Sequence, residues 1–334
     1  MNADFLIVGQ GLTGSLVASM LEDHGYSILI YDALRSYSAS QHAAGLINPI
    51  SGRRFVKSWN YDQLEKDFKM AYQKIENKLN VSILRKHKIE LCLTTVKEEN
   101  DLLSQSVRYN YEHLLQLNES NNITKNIYSI YSLLGYKVDI INLIVRFRNY
   151  WLNKNVLIEE DFDHSSLTQT ENKWTYKGNQ FSSIIFCEGA DVSANPFFKD
   201  LPIIPNKGQM MWIELDGLSI DTSLKHQVIV SSDLQRKWVG ATYEWIFQTI
   251  EPTPDGLKDL KSKLEHFIHV PYNVISHHAG IRPTTADRRP IIQRHSEHKE
   301  MWVINGMGTK GASLAPTIVQ EFMNIFEAAR KESL

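Results

Sequence analysis

The stretch that decides the fold is FLIVGQGLTG, residues Phe5 to Gly14. Its apolar start is typical of a strand that is buried on both faces. Gly9, Gly11 and Gly14 follow at the spacing G-x-G-x-x-G. In this pattern the first glycine makes a tight turn, the second lets the backbone approach a pyrophosphate, and the third lets a helix pack on the strand. The stretch therefore predicts a strand, a phosphate-binding turn and a helix.

The residues after this turn continue the same unit. Apolar residues recur at the spacing of one helix face, and Gly25 is placed to end that helix. A second strand, Ser27 to Tyr31, leads directly to Asp32. An acid at this place accepts a hydrogen bond from a ribose hydroxyl, while the helix N-terminus stabilises the phosphate charge. The strand, the helix, the second strand and the acid follow one another at the spacing of a dinucleotide-binding unit, so the sequence predicts a dinucleotide site.

The bulk composition narrows the class of protein. The chain has 334 residues, a hydrophobic fraction of 43% and a formal net charge of -2, so it can build a sizeable core and shows no global attraction for nucleic acid or a membrane surface. Its two cysteines, Cys92 and Cys187, form no CxxC or metal-ligand pattern, which favours a reducing, cytoplasmic compartment. The apolar N-terminus is interrupted by glycines and has no basic leader, so we expect neither a signal peptide nor a membrane span.

The chain then leaves the regular alternation of strands and helices. Helix is predicted over Tyr61–Leu79, over Thr94–Asn122 with polar turns, and over Tyr136–Asn153. NVLIEEDF and FSSIIFCEGADVS read as strands that return to the first sheet. A nicotinamide enzyme usually continues with further βα units. The interleaving instead favours a flavoprotein.

Four segments together resemble the D-amino-acid-oxidase superfamily of FAD-dependent amine oxidoreductases. They are the glycine-rich unit with Asp32, IIFCEGADVSANPFF, GQMMWIE, and the pair HHAGIRPTTADRRPII and MWVINGMGTKGASLAP. The resemblance implies an α/β protein in which a Rossmann-like FAD-binding domain is interleaved with an α+β, sheet-plus-helix substrate domain. We assign residues 1–82, 131–205 and 276–334 to the FAD-binding domain, and residues 83–130 and 206–275 to the substrate domain.

The resemblance also implies which residues hold FAD. The segment after the second strand would run beside the flavin ring, and the glycine loop near residue 306 would bring backbone amides and the start of a last helix, near Ser313 or Pro316, to its pyrimidine edge. The predicted FAD-binding residues are Gly9, Gly11, Leu12, Thr13, Gly14, Asp32, His42, Ala43, Ala44, Gly45, Phe162, Glu188, Gly189, Gly306, Met307, Gly308, Thr309 and Lys310.

His42 has two readings. HAAGL resembles superfamily members in which this histidine is bonded covalently to the flavin, but the preceding residues here are SASQ rather than the pattern of those members. Either His42 carries the flavin covalently, or it is an unmodified loop histidine near the cofactor. Release of the flavin on denaturation is the outcome that we expect.

Four residues are predicted to form the substrate site. Arginine suits a carboxylate because its planar fork donates two parallel hydrogen bonds. Arg282 in AGIRP and Lys310 in GMGTK match cations that hold the substrate carboxylate in glycine- and sarcosine-oxidase-like members, and Arg53, beside Arg54, follows the flavin-adjacent segment. Tyr243 could reach the substrate from the second sheet. Each cation could also be a solvated surface charge.

The resemblance implies oxidation of a C–N bond in a small carboxylate-bearing amine, an amino acid or an N-substituted glycine, by hydride transfer to flavin N5. Two alternatives remain. GATYEWIFQTIEPTPDG also resembles the oxidase domain of a bifunctional enzyme that acts on carboxymethylaminomethyl-uridine in tRNA, although the charge balance disfavours nucleic acid. The chain could also be a non-catalytic FAD-binding protein. The substrate, the electron acceptor and the oligomeric state stay open, and no metal site is predicted: His277 and His278 lack a partner pattern.

Overall fold

The computed structural model describes residues 2–119, 122–170, 173–219, 221–233 and 236–332. The helices are α1 Leu12–Asp23, α2 Tyr61–Leu79, α3 Val96–Arg108, α4 Ile140–Asn153, α5 Pro254–Phe267 and α6 Gly311–Glu332. The strands are β1 Asn2–Val8, β2 Ile28–Tyr31, β3 Leu46–Ile47, β4 Ile50–Ser51, β5 Val56–Lys57, β6 Leu84–Leu93, β7 Gln116–Asn118, β8 Ser129–Val138, β9 Leu157–Ile158, β10 Thr168–Thr170, β11 Lys173–Tyr176, β12 Asn179–Phe186, β13 Ile203–Leu215, β14 Thr222–Lys225, β15 Ile229–Asp233, β16 Arg236–Gly240, β17 Tyr272–Thr285, β18 Ile291–Arg294 and β19 Met301–Asn305.

The first sheet is built around parallel strands. β9, β2, β1, β12 and β19 lie side by side and run in the same direction, and β10, β11 and β18 are added antiparallel. β1 and β2 are apolar and buried because helices cover one face and an aromatic cluster covers the other. The carboxyl ends of the five parallel strands meet at one edge, where doubly wound sheets bind their ligands.

The second sheet has a long antiparallel core, in the order β17-β13-β16-β15-β14-β6-β8-β3, with β7 added beside β8. α5 packs on one face through Leu260, Leu264 and Phe267. The opposite face carries Trp238 and Met210, and it packs against Ala44 of the segment that leaves the first sheet after β2. This segment therefore lies between the two sheets.

Most of the predicted elements are found, with three corrections. Residues 136–138 end strand β8 rather than begin a helix, because Asp139 caps the helix and accepts a hydrogen bond from the Asn142 backbone. The helix predicted over Thr94–Asn122 ends at Arg108, and Gln116–Asn118 forms β7; residues 120 and 121 lie outside the described residues. The last helix begins at Gly311, earlier than expected, with Pro316 inside it.

The domain division stays a prediction, but strand pairing bears on its boundaries. β8 pairs with β6 and therefore belongs to the second sheet, although most of it was assigned to the FAD-binding domain. Residues 276–285 of β17 likewise pair along β13, in the register that places Asn206 opposite Arg282. These two strands extend the second sheet towards the segments that flank the first sheet.

Candidate active site

The glycine-rich turn has the geometry that its sequence predicts. Gly9 has a φ of +98°, and a Cβ added there would lie 2.5 Å from the carbonyl oxygen of Cys187. A Cβ at Gly14 would lie 1.9 Å from the carbonyl oxygen of Gly9, so only glycine lets α1 pack on this turn. Gly11 differs: its added Cβ would meet the Ser40 side chain, with Oγ 3.2 Å away. At Gly11 the neighbour is thus a side chain rather than the backbone, and the missing Cβ lets Ser40 lie against the turn.

The first turn of α1 begins beside Ser40. No side chain caps Gly11, and the Leu12 backbone N–H donates to Ser40 Oγ at 3.1 Å. Thr13 follows in the same turn. Free backbone N–H groups and the positive end of a helix attract phosphate. This arrangement is suited to a pyrophosphate, as the sequence predicts.

Asp32 lies beside this turn but has more partners than the sequence suggests. Its carboxylate accepts from the Gln10 and Leu34 backbone N–H groups, at 2.8 Å and 2.9 Å, and from Arg148 Nη1 at 2.8 Å. Arg148 also donates to Glu159 at 2.7 Å and to the Gln10 side chain at 3.0 Å. This role of Arg148 was not predicted from the sequence. The signal for it was an arginine among the buried residues of an amphipathic helix, because a buried arginine requires a charged partner.

Glu188 and Gly189 lie at the end of the neighbouring strand β12. The Glu188 carboxylate accepts from His164 Nε2 and from Asn195 Nδ2, each at 2.7 Å. Gly189 has a φ of +59°, and its carbonyl accepts from Asn305 Nδ2 at 2.8 Å. This hydrogen bond joins the carboxyl ends of β12 and β19. Phe162 packs on Tyr176, with ring centroids 4.3 Å apart, in the aromatic cluster under this edge.

The glycine loop after β19 is held against β17. Gly306 and Gly308 have φ values of +79° and +54°, and the Gly308 N–H donates to the carbonyl of Pro283 at 3.0 Å. Met307 is buried and Thr309 is exposed. The loop therefore places Lys310 and the start of α6 close to the strand that carries Arg282.

The segment from His42 to Gly45 runs between the sheets. Gly45 has a φ of +67°, and an added Cβ would lie 1.9 Å from the carbonyl oxygen of Val138. Ala43 and Ala44 pack against apolar residues, and the Trp238 indole N–H donates to the carbonyl of His42 at 2.9 Å. The small residues thus pass close to the second sheet.

The ring of His42 is engaged within the protein. Its Nε2 lies 2.6 Å from the carbonyl oxygen of Ser36, and the ring stacks on His278 at a centroid distance of 5.3 Å. Burial lowers the pKa of His42, and the neighbouring His278 lowers it further. Among the residues that the structure describes, no cluster of three or more His, Cys, Asp or Glu side chains could hold a metal ion.

Arg282 is a partly buried cation held by neutral groups. Its Nη1 donates to Asn206 Oδ1 at 2.7 Å and to the carbonyl of Thr242 at 3.2 Å, and the guanidinium lies 4.7 Å from the ring centroid of Tyr243. Burial lowers the pKa of Arg282, and the charge of Glu244 acts against this lowering. The Glu244 carboxylate accepts from Gln209 and Thr242, lies 3.8 Å from Lys207 Nζ and forms no ion pair with Arg282 in the described part of the chain.

Within the described residues no carboxylate forms an ion pair with this guanidinium, although burial of a cation normally demands one. Tyr243 is 61% exposed, so the ring borders the guanidinium at the protein surface. The Asn206 Nδ2 group is buried and has no hydrogen-bond partner within the described residues. Asn206 was missed by the sequence analysis, because only the strand register reveals that it faces Arg282. A guanidinium without an ion-pair partner beside an amide NH2 without an acceptor is an arrangement that suits a carboxylate.

Lys310 follows the glycine loop and contacts the residues of the β4–β5 hairpin and its end. Its ammonium donates to Ser51 Oγ at 3.1 Å and Ser58 Oγ at 3.3 Å, and its pKa is lowered by burial and by the charges of Arg288 and Arg289. Arg53 and Arg54 differ from this lysine. Both are exposed in the turn between β4 and β5, and the structure records no ion pair for either within the described residues.

Comparisons with known proteins assign the family. The model of the DAO family, FAD dependent oxidoreductase, matches residues 4–322. A glycine oxidase of Bacillus licheniformis is 28% identical over 152 residues, which are 40% of this chain and 41% of that protein. The chain therefore matches about two fifths of this curated relative.

Solved structures of the same fold span nearly the whole chain. A glycine oxidase from Geobacillus kaustophilus superposes with a TM-score of 0.80 at 18% identity, over 96% of this chain and 93% of that one. An iminodiacetate oxidase from Chelativorans sp. BNC1 gives 0.75 at 17% identity, over 97% and 95%. The chain belongs to the DAO family of FAD-dependent oxidoreductases, and its cofactor is FAD.

The residues in place fit this cofactor. The glycine-rich turn and the start of α1, where Gly11 has no side chain of its own, suit the pyrophosphate, and Asp32 follows β2 where the ribose is expected. The loop at Gly306 and Gly308 lies beside the second sheet. Separately, none of the described helices is both long enough and apolar enough to cross a membrane.

Proposed function

We propose that this oxidoreductase oxidises a C–N bond of a small amine that carries a carboxylate, either an amino acid or an N-substituted glycine. The observation that carries the proposal is Arg282, a partly buried guanidinium whose hydrogen bonds go to an amide oxygen and a backbone carbonyl. A substrate carboxylate would supply the missing negative charge and accept two hydrogen bonds from the planar fork.

The roles of the protein groups follow from their positions. Arg282 would fix the carboxylate end of the substrate, and Tyr243 would border it at the surface. Gly11 and the start of α1 would hold the cofactor phosphates, and the loop at Gly306 and Gly308 would hold the flavin edge. When bound, FAD supplies the oxidant, which accepts a hydride from the substrate carbon at flavin N5.

The charges around the site favour the reactive form of the amine. Arg282 and Lys310 are cations, and positive charges near a second cation disfavour its protonated form. A substrate bound beside them would lose its ammonium proton to water more readily. The nitrogen lone pair is then available when the C–H bond breaks, so the proposal requires no side chain as a general base.

The names of similar proteins support this substrate class. Glycine oxidase and iminodiacetate oxidase both denote enzymes whose named substrates are amines with carboxylate groups. A site built around a guanidinium is compatible with both. The choice among such amines is addressed by experiment.

The test is an anaerobic titration of the FAD-loaded protein with glycine, sarcosine, D-alanine and proline, with ethylamine as a matched amine that lacks the carboxylate. We expect at least one carboxylate-bearing amine to bleach the flavin absorbance, and ethylamine to leave it unchanged. Bleaching by ethylamine alone would reject the carboxylate requirement. If no amine bleaches the flavin, the assignment of an amine substrate is wrong.

A further inference from the structure

A buried arginine joins the glycine-rich turn to the residues that follow strands β2 and β9. Arg148 lies in α4, and its side chain is only 7% exposed. Its Nη1 donates to Asp32 Oδ2 at 2.8 Å and to Gln10 Oε1 at 3.0 Å. Its Nη2 donates to the Asp32 carbonyl at 3.2 Å, and its Nε donates to Glu159 Oε1 at 2.7 Å. The planar fork therefore holds three residues at once.

Gln10 ties this network to the predicted phosphate-binding turn. Its side-chain oxygen accepts from Arg148, and its side-chain nitrogen donates to Ser15 Oγ at 2.9 Å and to the Ile144 carbonyl at 3.1 Å. Its backbone N–H donates to Asp32 Oδ1 at 2.8 Å. Gln10 is 2% exposed, so water does not compete for these partners. The orientation of the Asp32 carboxylate is therefore set by groups that are themselves held in place.

Asp32 has little capacity left to accept further hydrogen bonds. An ionised carboxylate offers about four acceptor positions, two on each oxygen. Within the described residues, the Leu34 N–H and Arg148 Nη1 both donate to Oδ2, at 2.9 Å and 2.8 Å, and the Gln10 N–H donates to Oδ1. One position on Oδ1 is left. A carboxylate with both oxygens open could accept both hydroxyls of a ribose, whereas this carboxylate can accept one.

We propose that Arg148 is a positioning residue of the FAD site: it occupies Oδ2 of Asp32, so that Asp32 accepts only one of the two hydroxyls of the adenosine ribose, through Oδ1. The proposal takes Asp32 as the ribose-binding residue that the glycine-rich unit predicts. Arg148 acts through Asp32 and needs no contact with FAD. The proposal concerns the cofactor, so it does not depend on the amine substrate proposed above.

The test compares FAD with two analogues, in which the adenosine ribose lacks either the 2′-hydroxyl or the 3′-hydroxyl. The protein is loaded with each flavin, and the dissociation constant is measured from the fluorescence of the flavin released on dilution. We expect one analogue to bind about tenfold or more weakly than FAD, since a hydrogen bond to a charged group is worth about that much, and the other to bind within about twofold of FAD. Equal losses for both analogues, or no loss for either, would overturn the proposal.

Arg148→Met should remove this selectivity, which is the ratio between the dissociation constants of the two analogues. Oδ2 is then open for the second hydroxyl, so both analogues should lose affinity to about the same extent. A purely structural role of Arg148 would weaken all three flavins and leave the ratio unchanged. Selectivity equal to that of the wild type in Arg148→Met would therefore overturn the proposal.

Arg148→Lys keeps a cation at this buried position and therefore serves as the variant that folds if Arg148→Met does not. One ammonium group cannot donate to Asp32, Gln10 and Glu159 in the geometry of the fork, so it holds the Asp32 carboxylate less firmly. The selectivity of this variant should fall below that of the wild type and stay above that of equal affinities. Selectivity as large as that of the wild type would overturn the role of the fork.

Arg146→Met is the matched control. Arg146 is an exposed arginine of the same helix, and its Nε lies 3.3 Å from Asn142 Oδ1. This variant should keep the selectivity of the wild type. Loss of selectivity in Arg146→Met would show that α4 as a whole, rather than the contact between Arg148 and Asp32, sets the selectivity, and it would overturn the proposal.

Discussion

Gly208 and Arg282 lie on the paired strands β13 and β17, and the guanidinium covers the glycine so closely that an added Cβ would lie 1.9 Å from Nη2. The absence of a side chain at Gly208 thus creates the place that Arg282 occupies. No residue with a side chain would leave the guanidinium in this position. The position of the Arg282 guanidinium therefore depends on the missing side chain of Gly208.

Gly208→Ala is expected to displace the guanidinium and to weaken acetate binding by about tenfold or more, because a shift of about 1 Å disrupts a positioned group. FAD should stay bound. Acetate affinity is measured from the flavin spectral shift, and the double variant Gly208→Ala/Arg282→Met is the control. Its loss should equal that of Arg282→Met alone; an additive loss would show that Gly208 acts on something else.

Asn206→Asp is expected to weaken acetate binding by on the order of a hundredfold. The new carboxylate would lie where Asn206 Oδ1 accepts from Arg282 at 2.7 Å. It would pair with the guanidinium and repel a second carboxylate. Asn206→Ala removes only a neutral partner, so its loss should be about tenfold. Acetate affinity in the Asp variant equal to that of the wild type would contradict the site.

Arg282→Met should weaken acetate by roughly a hundredfold or more while FAD stays bound, and Arg282→Lys should recover part of the loss. A point charge cannot reproduce the two parallel hydrogen bonds of the fork. The measurement is the same spectral titration, with FAD content determined from the absorbance of the purified proteins. Loss of FAD in the Met variant would mean that this arginine serves the cofactor.

Lys225→Met is expected to stabilise the protein near neutral pH. The folded-state pKa is about 8, below the ordinary 10.5, because the charged form is buried. A lowered lysine pKa destabilises the fold while the group is protonated, and the cost disappears as the pH rises from about 8 to 10.5. The variant should gain up to about 3 kcal/mol below pH 8 and lose this advantage by about pH 10.5. Denaturant unfolding across this pH range measures it; a gain independent of pH would argue against a charged Lys225.

Two variants and one extraction test the cofactor assignments. Gly11→Val should fold but fail to retain FAD, since its side chain would crowd Ser40 and the turn that is expected to approach the pyrophosphate. Gly14→Ala should lower the stability of the fold itself, because its Cβ would collide with the carbonyl of Gly9.

Acid precipitation of the wild type should release the flavin, because the His42 ring is engaged with Ser36 and His278. Colour in the pellet would show a covalent link.

The sequence alone was sufficient for the nucleotide-binding unit. The roles predicted for Gly9 and Gly14 were correct because the turn and the helix that follows it are local, and their steric demands involve residues close in the chain or on the adjacent strand. The family resemblance carried the assignment of FAD. The sequence failed at residues 136–138, where the end of a buried strand and the start of an amphipathic helix are both apolar and only hydrogen bonding separates them.

The surroundings of Arg282 were decided by the tertiary structure. Arg282 was recognisable from AGIRP, but its partner Asn206 and the space at Gly208 depend on the register of β13 against β17, which residues far apart in the chain determine. Lys225 gave no signal in the sequence, since an exposed lysine and a buried one look alike. Its hydrogen bond to the carbonyl of Ile50, next to the contact of Lys310 with Ser51, arises only when the strand, the hairpin and the glycine loop pack together. The conformation of a turn is limited by sterics among residues close in the chain. Whether a cation has an ion-pair partner depends on residues that only the packing of the whole protein brings around it.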